Sequence, residues 1–202
     1  MKVTKAQAQA NRAHIVETAS TLFRERGYDG ISIADLMAEA GFTHGGFYKH
    51  FRSKADLMME SAACGLAQTA ELSASSDISE LVQGYLSREH RDARSTGCTI
   101  AALSGDAARQ PEEVRETFAV GIERVLAELS KANMSPDSTD ANAERAKYLD
   151  ILAHALGAIV MSRACPDDSP LADEILAVCR DKILASLNTP VPEGACVNKH
   201  RV

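Results

Sequence analysis

Two stretches of the chain carry side chains that could do chemistry. The first runs from Thr43 to Lys54 and holds Thr43, His44, Tyr48, Lys49, His50 and Lys54, with Gly45 and Gly46 among them. Its hydroxyl, imidazole and ammonium groups can donate to phosphate oxygens, although any one of them alone reads as part of a solvated face. The second is Cys98, which follows Gly97 near a helix start with Arg91 and Arg94 close by. A helix N-terminus and nearby cations lower a thiol pKa and would let Cys98 sense electrophiles or oxidants. The competing reading is a buried, inert cysteine. His90 and Asp106 read as surface polar groups, and His154 as a core or interface histidine. No H-E-x-x-H, G-x-S-x-G or phosphate loop occurs, and no paired carboxylates stand at a spacing that demands chemistry. Nothing asks for a cofactor or a metal, so an enzyme is the weaker class.

Charge points the same way once it is divided along the chain. The 202 residues hold 22 Lys and Arg against 28 Asp and Glu, a net charge of −6. Residues 1–60 nevertheless carry eight basic against seven acidic side chains, plus His14, His44 and His50. All the net negative charge lies beyond residue 60, and a neutral-to-basic head on an acidic body is compatible with local contact to DNA. The five cysteines, Cys64, Cys98, Cys165, Cys179 and Cys196, are scattered, odd in number and without a C-x-x-C pair. They read as reduced thiols rather than a disulfide framework or zinc site. With no long apolar run and no signal-like N-terminus, the expectation is a cytoplasmic protein.

The elements that must position these residues are helices. Aromatics make up 4% of the chain while Ala and Leu are abundant, a composition that leans to helix. Ile15, Ala19, Leu22 and Phe23 share one face of a helix over about Asn11–Arg26, which Gly27 stops. Ser32 and Asp35 start a short second helix, Gly41 breaks it, and a third can run from Thr43 to about His50. Ser53 with Asp56 begins a longer helix. Two short helices around a tight turn are the layout of a helix-turn-helix unit. Further starts stand at Asp77, near Gly97 and at Pro111. Two strongly apolar helices follow, about Ala141 to Ala164 and Pro170 to Leu187, and their excess of apolar residues suggests a subunit interface. The stretch after Asn188 reads as a loose tail.

The segment ISIADLMAEAGFTHGGFYKHFRSKADLM closely resembles the DNA-binding signature of TetR/AcrR-family regulators. The shared positions are Gly27-Tyr28, Ile31 to Ile33, Ala40-Gly41, Phe47-Tyr48, His50-Phe51, Ser53-Lys54 and Leu57, within about residues 12–60. The resemblance implies an all-α fold of about nine helices. A three-helix helix-turn-helix DNA-binding domain (1–53) precedes a helical effector-binding and dimerisation domain (54–188) and a flexible tail (189–202). Phe23, Ile33, Leu36, Phe42, Phe47, Phe51 and Leu57 would form the small core of the head.

By that resemblance the helix from Thr43 to His50 enters the major groove, where Thr43 and His44 reach phosphates and base edges. Tyr48 donates to a phosphate, Lys49 adds charge, and Lys54 opens the next helix, whose N-terminus suits a phosphate. Lys2, Lys5 and Arg12 are candidates for an N-terminal arm. Gly45 and Gly46, costly inside a helix, let the backbone come close to DNA and leave base reading to Thr43, His44 and Lys49. The family likeness also implies a small-molecule effector pocket, with Tyr85, Cys98, Leu103, Phe118, Ile122 and Leu152 as candidate lining. It implies a homodimer through the last two helices, with Leu152, Leu156, Ile159, Leu176, Cys179 and Ile183 as candidate contacts. The expected protein is a repressor on a near-palindromic operator in the bacterial cytoplasm, associated with the nucleoid. Its partners would be double-stranded DNA, itself and an unidentified effector, with no membrane. The competing class is a helical adaptor without specific DNA binding.

Overall fold

The structure, a computed structural model, describes residues 4–75, 77–133 and 140–187. Lys2 and the stretch read as a tail lie outside them. The described residues form nine α-helices and one 3-10 helix and contain no strand. The chain opens with α1 (Lys5–Arg26), α2 (Ile33–Glu39), the 3-10 helix (His44–Lys49) and α3 (Lys54–Ser75). It continues with α4 (Ile78–Tyr85), α5 (Arg88–Asp92) and α6 (Thr99–Ala107). The last three are α7 (Glu112–Asn133), α8 (Ala141–Ala164) and α9 (Pro170–Leu187).

Local chemistry fixes the helix ends. Thr4 caps α1 by accepting the Gln7 N–H at 3.2 Å, so the helix begins a turn and a half before the apolar stripe shows it. Gly27 ends it at φ 75°, a left-handed conformation that glycine alone adopts without strain. The Ser32 hydroxyl accepts the Asp35 N–H at 3.1 Å and opens α2. Gly41, at φ 78°, turns the chain towards the 3-10 helix. Asp77 caps α4 through the N–H groups of Ser79 and Glu80.

Two layers follow from the packing. In the head, Ile15, Leu22, Phe23, Leu36, Phe47, Phe51 and Leu57 are buried, while Ile33 and Phe42 are half-buried against them. In the body, α3 packs along α7 and α8 along α9, with α6 wedged against α1, α3, α7 and α8. One buried core therefore runs from the head into the body. α3 belongs to both, contributing Leu57 to the head core and Leu66 and Ala70 to the body core.

The short α5 is the element that apolar periodicity does not show. It carries a fully buried arginine: Arg91 donates to the Ser162 hydroxyl at 3.0 Å, to the Cys165 carbonyl at 3.1 Å and to Asp167 at 3.0 Å. Arg163 returns the link, donating to the carbonyls of Arg91 and His90 at 2.8 and 2.9 Å. These bonds clasp α5 to the end of α8, and satisfied donors are what allow a buried guanidinium to persist.

Candidate nucleic-acid interface and adjoining cavity

The third element of the head is a 3-10 helix rather than an α-turn. Six residues containing two glycines gain little from the i→i+4 pattern, and the bonds close at i→i+3 instead. The Gly46 N–H donates to the Thr43 carbonyl at 2.9 Å, and the His50 N–H to the Phe47 carbonyl at 2.9 Å. Phe47 is fully buried beneath the helix, and the Tyr48 ring stands perpendicular to it at 5.2 Å. Tyr48 is thereby held outward, 64% exposed, with the His44 ring edge-on at 6.1 Å. Thr43, His44, Gly45 and Lys49 are exposed beside it.

Neither glycine is demanded by the fold. Both lie outside the positive-φ region. A Cβ on Gly45 would meet nothing within 4 Å, and one on Gly46 only ordinary contacts at 3.6 Å and beyond. Their bareness leaves a patch of backbone open to a surface outside the chain.

Other cations of the head are engaged within it. The Lys54 ammonium donates to the carbonyl of Ile31 at 2.8 Å and to that of Tyr28, pinning the connection between α1 and α2. Arg12 pairs with both carboxylate oxygens of Glu60, donates to the His50 carbonyl at 3.3 Å and lies 4.7 Å from the Phe51 ring centre. It ties α1 to α3 and braces half-buried His50. Lys5 is exposed on the first turn of α1.

Two polar contacts join this head to α6. The Asp106 carboxylate accepts the Tyr28 N–H at 3.0 Å. A Cβ on Gly27 would lie 2.6 Å from that carboxylate, so glycine is required there by space as well as by φ. At the other end of α6, buried Arg24 donates to the Ser95 carbonyl at 2.7 Å, the Ser20 hydroxyl at 2.7 Å and the Thr99 hydroxyl at 3.4 Å. Gly65 of α3 makes room for this cluster, since a Cβ there would stand 2.8 Å from the Arg24 guanidinium.

The same end of α6 borders a cavity of about 360 Å³ between α3, α4, α7 and α8. Of the residues expected to line a pocket, Tyr85, Cys98 and Leu152 do so. Leu103 and Phe118 are buried in the core and Ile122 packs against it. Gln68, Leu72, Ile78, Val125 and Ile151 also line the cavity; no motif marks them, and only the spacing of apolar residues on α3, α4, α7 and α8 could have shown the four apolar ones.

His90 fixes the cavity's edge. Its Nδ1–H donates to the Tyr85 carbonyl at 2.8 Å, which leaves Nε2 to accept the Cys98 N–H at 3.2 Å. That is the neutral ring, and burial holds its pKa below the ordinary histidine value. Cys98 itself is buried at the N-cap position of α6. The arginines near it in sequence are committed elsewhere, Arg91 to the α8–α9 turn and Arg94 to the Arg163 carbonyl at 3.5 Å.

The apolar residues of α8 and α9 divide into two sets. Ile159, Leu176 and Ile183, expected at a subunit interface, are buried within their own subunit, because α9 packs on α8 and α4. Leu152, Leu156 and Cys179 are half-buried against the same core. The large apolar side chains left exposed on these helices are Leu149, Val160, Met161, Leu171 and Val178. No helix among the described residues is long and apolar enough to cross a membrane.

Comparison with known proteins agrees with this geometry. Residues 15–60 match the model of the bacterial regulatory proteins of the tetR family. The chain is 40% identical over 57 residues to the HTH-type transcriptional regulator AcrR of Shigella flexneri, a match spanning 28% of this chain and 26% of that protein. The chain thus matches about a quarter of that relative's length, and the likeness is one of heads. An uncharacterized HTH-type transcriptional regulator of Mycobacterium tuberculosis, MT0206, is 29% identical over 191 residues, 89% of this chain and 97% of its own. In fold, the chain resembles the crystal structure of a TetR-family transcriptional regulator from Agrobacterium tumefaciens, with a TM-score of 0.63 at 26% identity over 88% of this chain and 98% of that one. Residues 15–60 thus form a DNA-binding head of the tetR family type, and the all-helical body behind it has the fold of TetR-family regulators.

Proposed function

We propose that this protein is a sequence-specific DNA-binding regulator, a dimeric repressor that a small molecule releases from its operator. It acts in the cytoplasm and is not an enzyme. The observation that carries the reading is the outer face of the 3-10 helix. Thr43, His44, Tyr48 and Lys49 stand exposed around bare glycine backbone, on a base that Phe47 and Lys54 hold rigid. Tyr48 and Lys49 donate to phosphates, while Thr43 and His44 read base edges. His50 and Lys54 act by holding that face in place. The dimer forms through the exposed apolar face of α8 and α9, which sets the two heads roughly 34 Å apart for successive major grooves. Effector binding in the cavity beside α6 changes that spacing through the contacts of Arg24 and Asp106 with the head.

The test is selection from random duplexes at about physiological salt. The expected product is a near-palindrome with half-sites one turn apart. Lys49→Ala should lower affinity for every selected duplex and reduce the salt slope by about one. His44→Ala should change the preferred sequence instead. No enrichment, with only weak binding that salt abolishes, would return the protein to the class of helical adaptors.

A further inference from the structure

The cavity beside α6 also indicates what it binds. Resting on the reading of that cavity as an effector site, we infer that its ligand is an uncharged molecule with an apolar body and one hydrogen-bonding oxygen, which the Tyr85 hydroxyl recognises.

The argument begins with what the walls lack. Among the described residues no lysine or arginine lines the cavity, and the one carboxylate among them, Glu80, is exposed at the rim. The histidine on the wall cannot supply charge cheaply. Its two nitrogens are already committed, one as donor to the Tyr85 carbonyl and one as acceptor from the Cys98 N–H. Protonation would set an N–H against an N–H. The guanidiniums behind the wall, Arg24 and Arg163, already donate to carbonyl and hydroxyl oxygens of the protein. An organic anion would therefore lose its hydration and meet no lysine or arginine on the wall itself, and an ammonium would meet no buried carboxylate there; both carry most of the cost of burying a charge. Leu72, Ile78, Val125, Leu129, Ile151 and Leu152 provide the apolar surface.

One polar group is left over. The Tyr85 hydroxyl is buried, lies beside the weakly bonding Cys98 thiol, and has no oxygen or nitrogen partner among the described residues. Buried hydroxyls are nearly always paired, and an orphan on a cavity wall points to a partner supplied by a ligand. A carbonyl or hydroxyl oxygen is the match, since phenol donates readily and burial makes its ionisation harder still. Of the other wall hydroxyls, that of Thr96 is on an exposed residue, while Thr69 donates to the Gly65 carbonyl and Ser73 to the Thr69 carbonyl, within α3. At about 360 Å³ the cavity sits at the small end of ligand sites, which run roughly from 300 to 1,000 Å³. A compact molecule fits it better than a long lipid chain.

The experiment is calorimetric titration of the full chain, without DNA, with three probes of one size: methyl hexyl ketone, octanoate and octylammonium. The ketone should bind at least about tenfold more tightly than either ion. Tyr85→Phe should weaken the ketone by about three- to tenfold while leaving the fold intact, because it removes only an unpaired hydroxyl. Leu152→Trp, which fills the cavity, should abolish binding. Octanoate or octylammonium binding as tightly as the ketone overturns the inference. So does a Tyr85→Phe variant that binds the ketone unchanged, ketone binding that survives Leu152→Trp, or no heat from the ketone at all. Duplex selection on the same preparation separates the two claims. Specific DNA binding without ketone binding leaves the regulator and sinks the ligand class, and the reverse result does the opposite.

Discussion

At the scale of single residues, the 3-10 helix separates what the fold needs from what a partner needs. Gly45 has open space where a Cβ would stand and a backbone conformation that alanine can share. Gly45→Ala should therefore stabilise the protein by about 0.4–1 kcal/mol through the unfolded chain. The same methyl would hold the backbone off the duplex, and affinity for the selected operator should drop on the order of tenfold, about 1.4 kcal/mol. Denaturant titration and operator binding measured together check this, and unchanged affinity would remove the close-approach reading. His90 makes a second residue-scale prediction. Its folded pKa is depressed, chiefly by burial and also by the nearby Arg163 guanidinium. As pH falls below the ordinary value of roughly 6.5, the unfolded chain takes up the proton first. Stability is thus complete above that value and declines as pH drops towards the folded pKa, at no more than about 1.4 kcal/mol per unit for one proton. His90→Asn should flatten the urea stability profile between about pH 7 and pH 5. Equal slopes in wild type and variant would show that the proton goes elsewhere. The short helix over residues 44–49 was legible in the sequence because Gly41 and Thr43 mark its start locally. Lys54 and Arg12 were not, since their partners lie 23 to 48 positions away, at Ile31 and Glu60 among others.

At the scale of elements, α6 is a strut held at both ends. Asp106 meets the head at the Tyr28 N–H, and Arg24 meets the loop before α6 at Ser95. Gly27 and Asp106 serve one contact, the first by leaving space and the second by accepting the bond. Asp106→Ala strands a partly buried N–H and should cost about 2 kcal/mol, lowering the melting temperature by roughly 4–8 °C. Gly27→Ala should be costly as well, because it must leave its left-handed φ or displace the carboxylate. The double variant should lose clearly less than the sum of the two, since each removes the same junction. Additivity within about 0.3 kcal/mol would mean that the two residues act independently. The ends of α8 and α9 could be read from apolar spacing and flanking caps because long helices repeat their pattern. α5 could not. Five residues show no period, and the burial of Arg91 depends on Ser162, Cys165 and Asp167, which only the tertiary fold brings near.

At the scale of the whole molecule, the question is which apolar residues serve a subunit's own core and which await a second copy. Periodicity cannot separate them, because a helix buried on two sides has the same composition whichever neighbour covers each side. That is why Ile159, Leu176 and Ile183 read as contact residues and lie inside the subunit. Leu149, Leu156 and Val160 form a stripe on α8 at helical spacing, and Leu171, Ile175 and Val178 form one on α9. Their outer members are about half exposed, Val160 and Val178 each at 50%. Placed against a second copy, this face would make a self-complementary interface, as a two-fold axis requires. Asp at either valine should leave the monomer fold intact, because surface substitutions away from special contacts cost little. In the dimer it would bury an unpaired carboxylate at the centre of the contact. Val160→Asp and Val178→Asp are therefore expected to sediment as folded monomers at concentrations where wild type is a dimer. Each variant should keep its thermal transition and its binding in the cavity. Operator affinity should fall on the order of a hundredfold or more, since the second head would lose the high effective concentration that the first supplies. Variants that remain dimeric with unchanged operator affinity would move the interface to another face. A monomer that keeps full operator affinity would show that one head suffices.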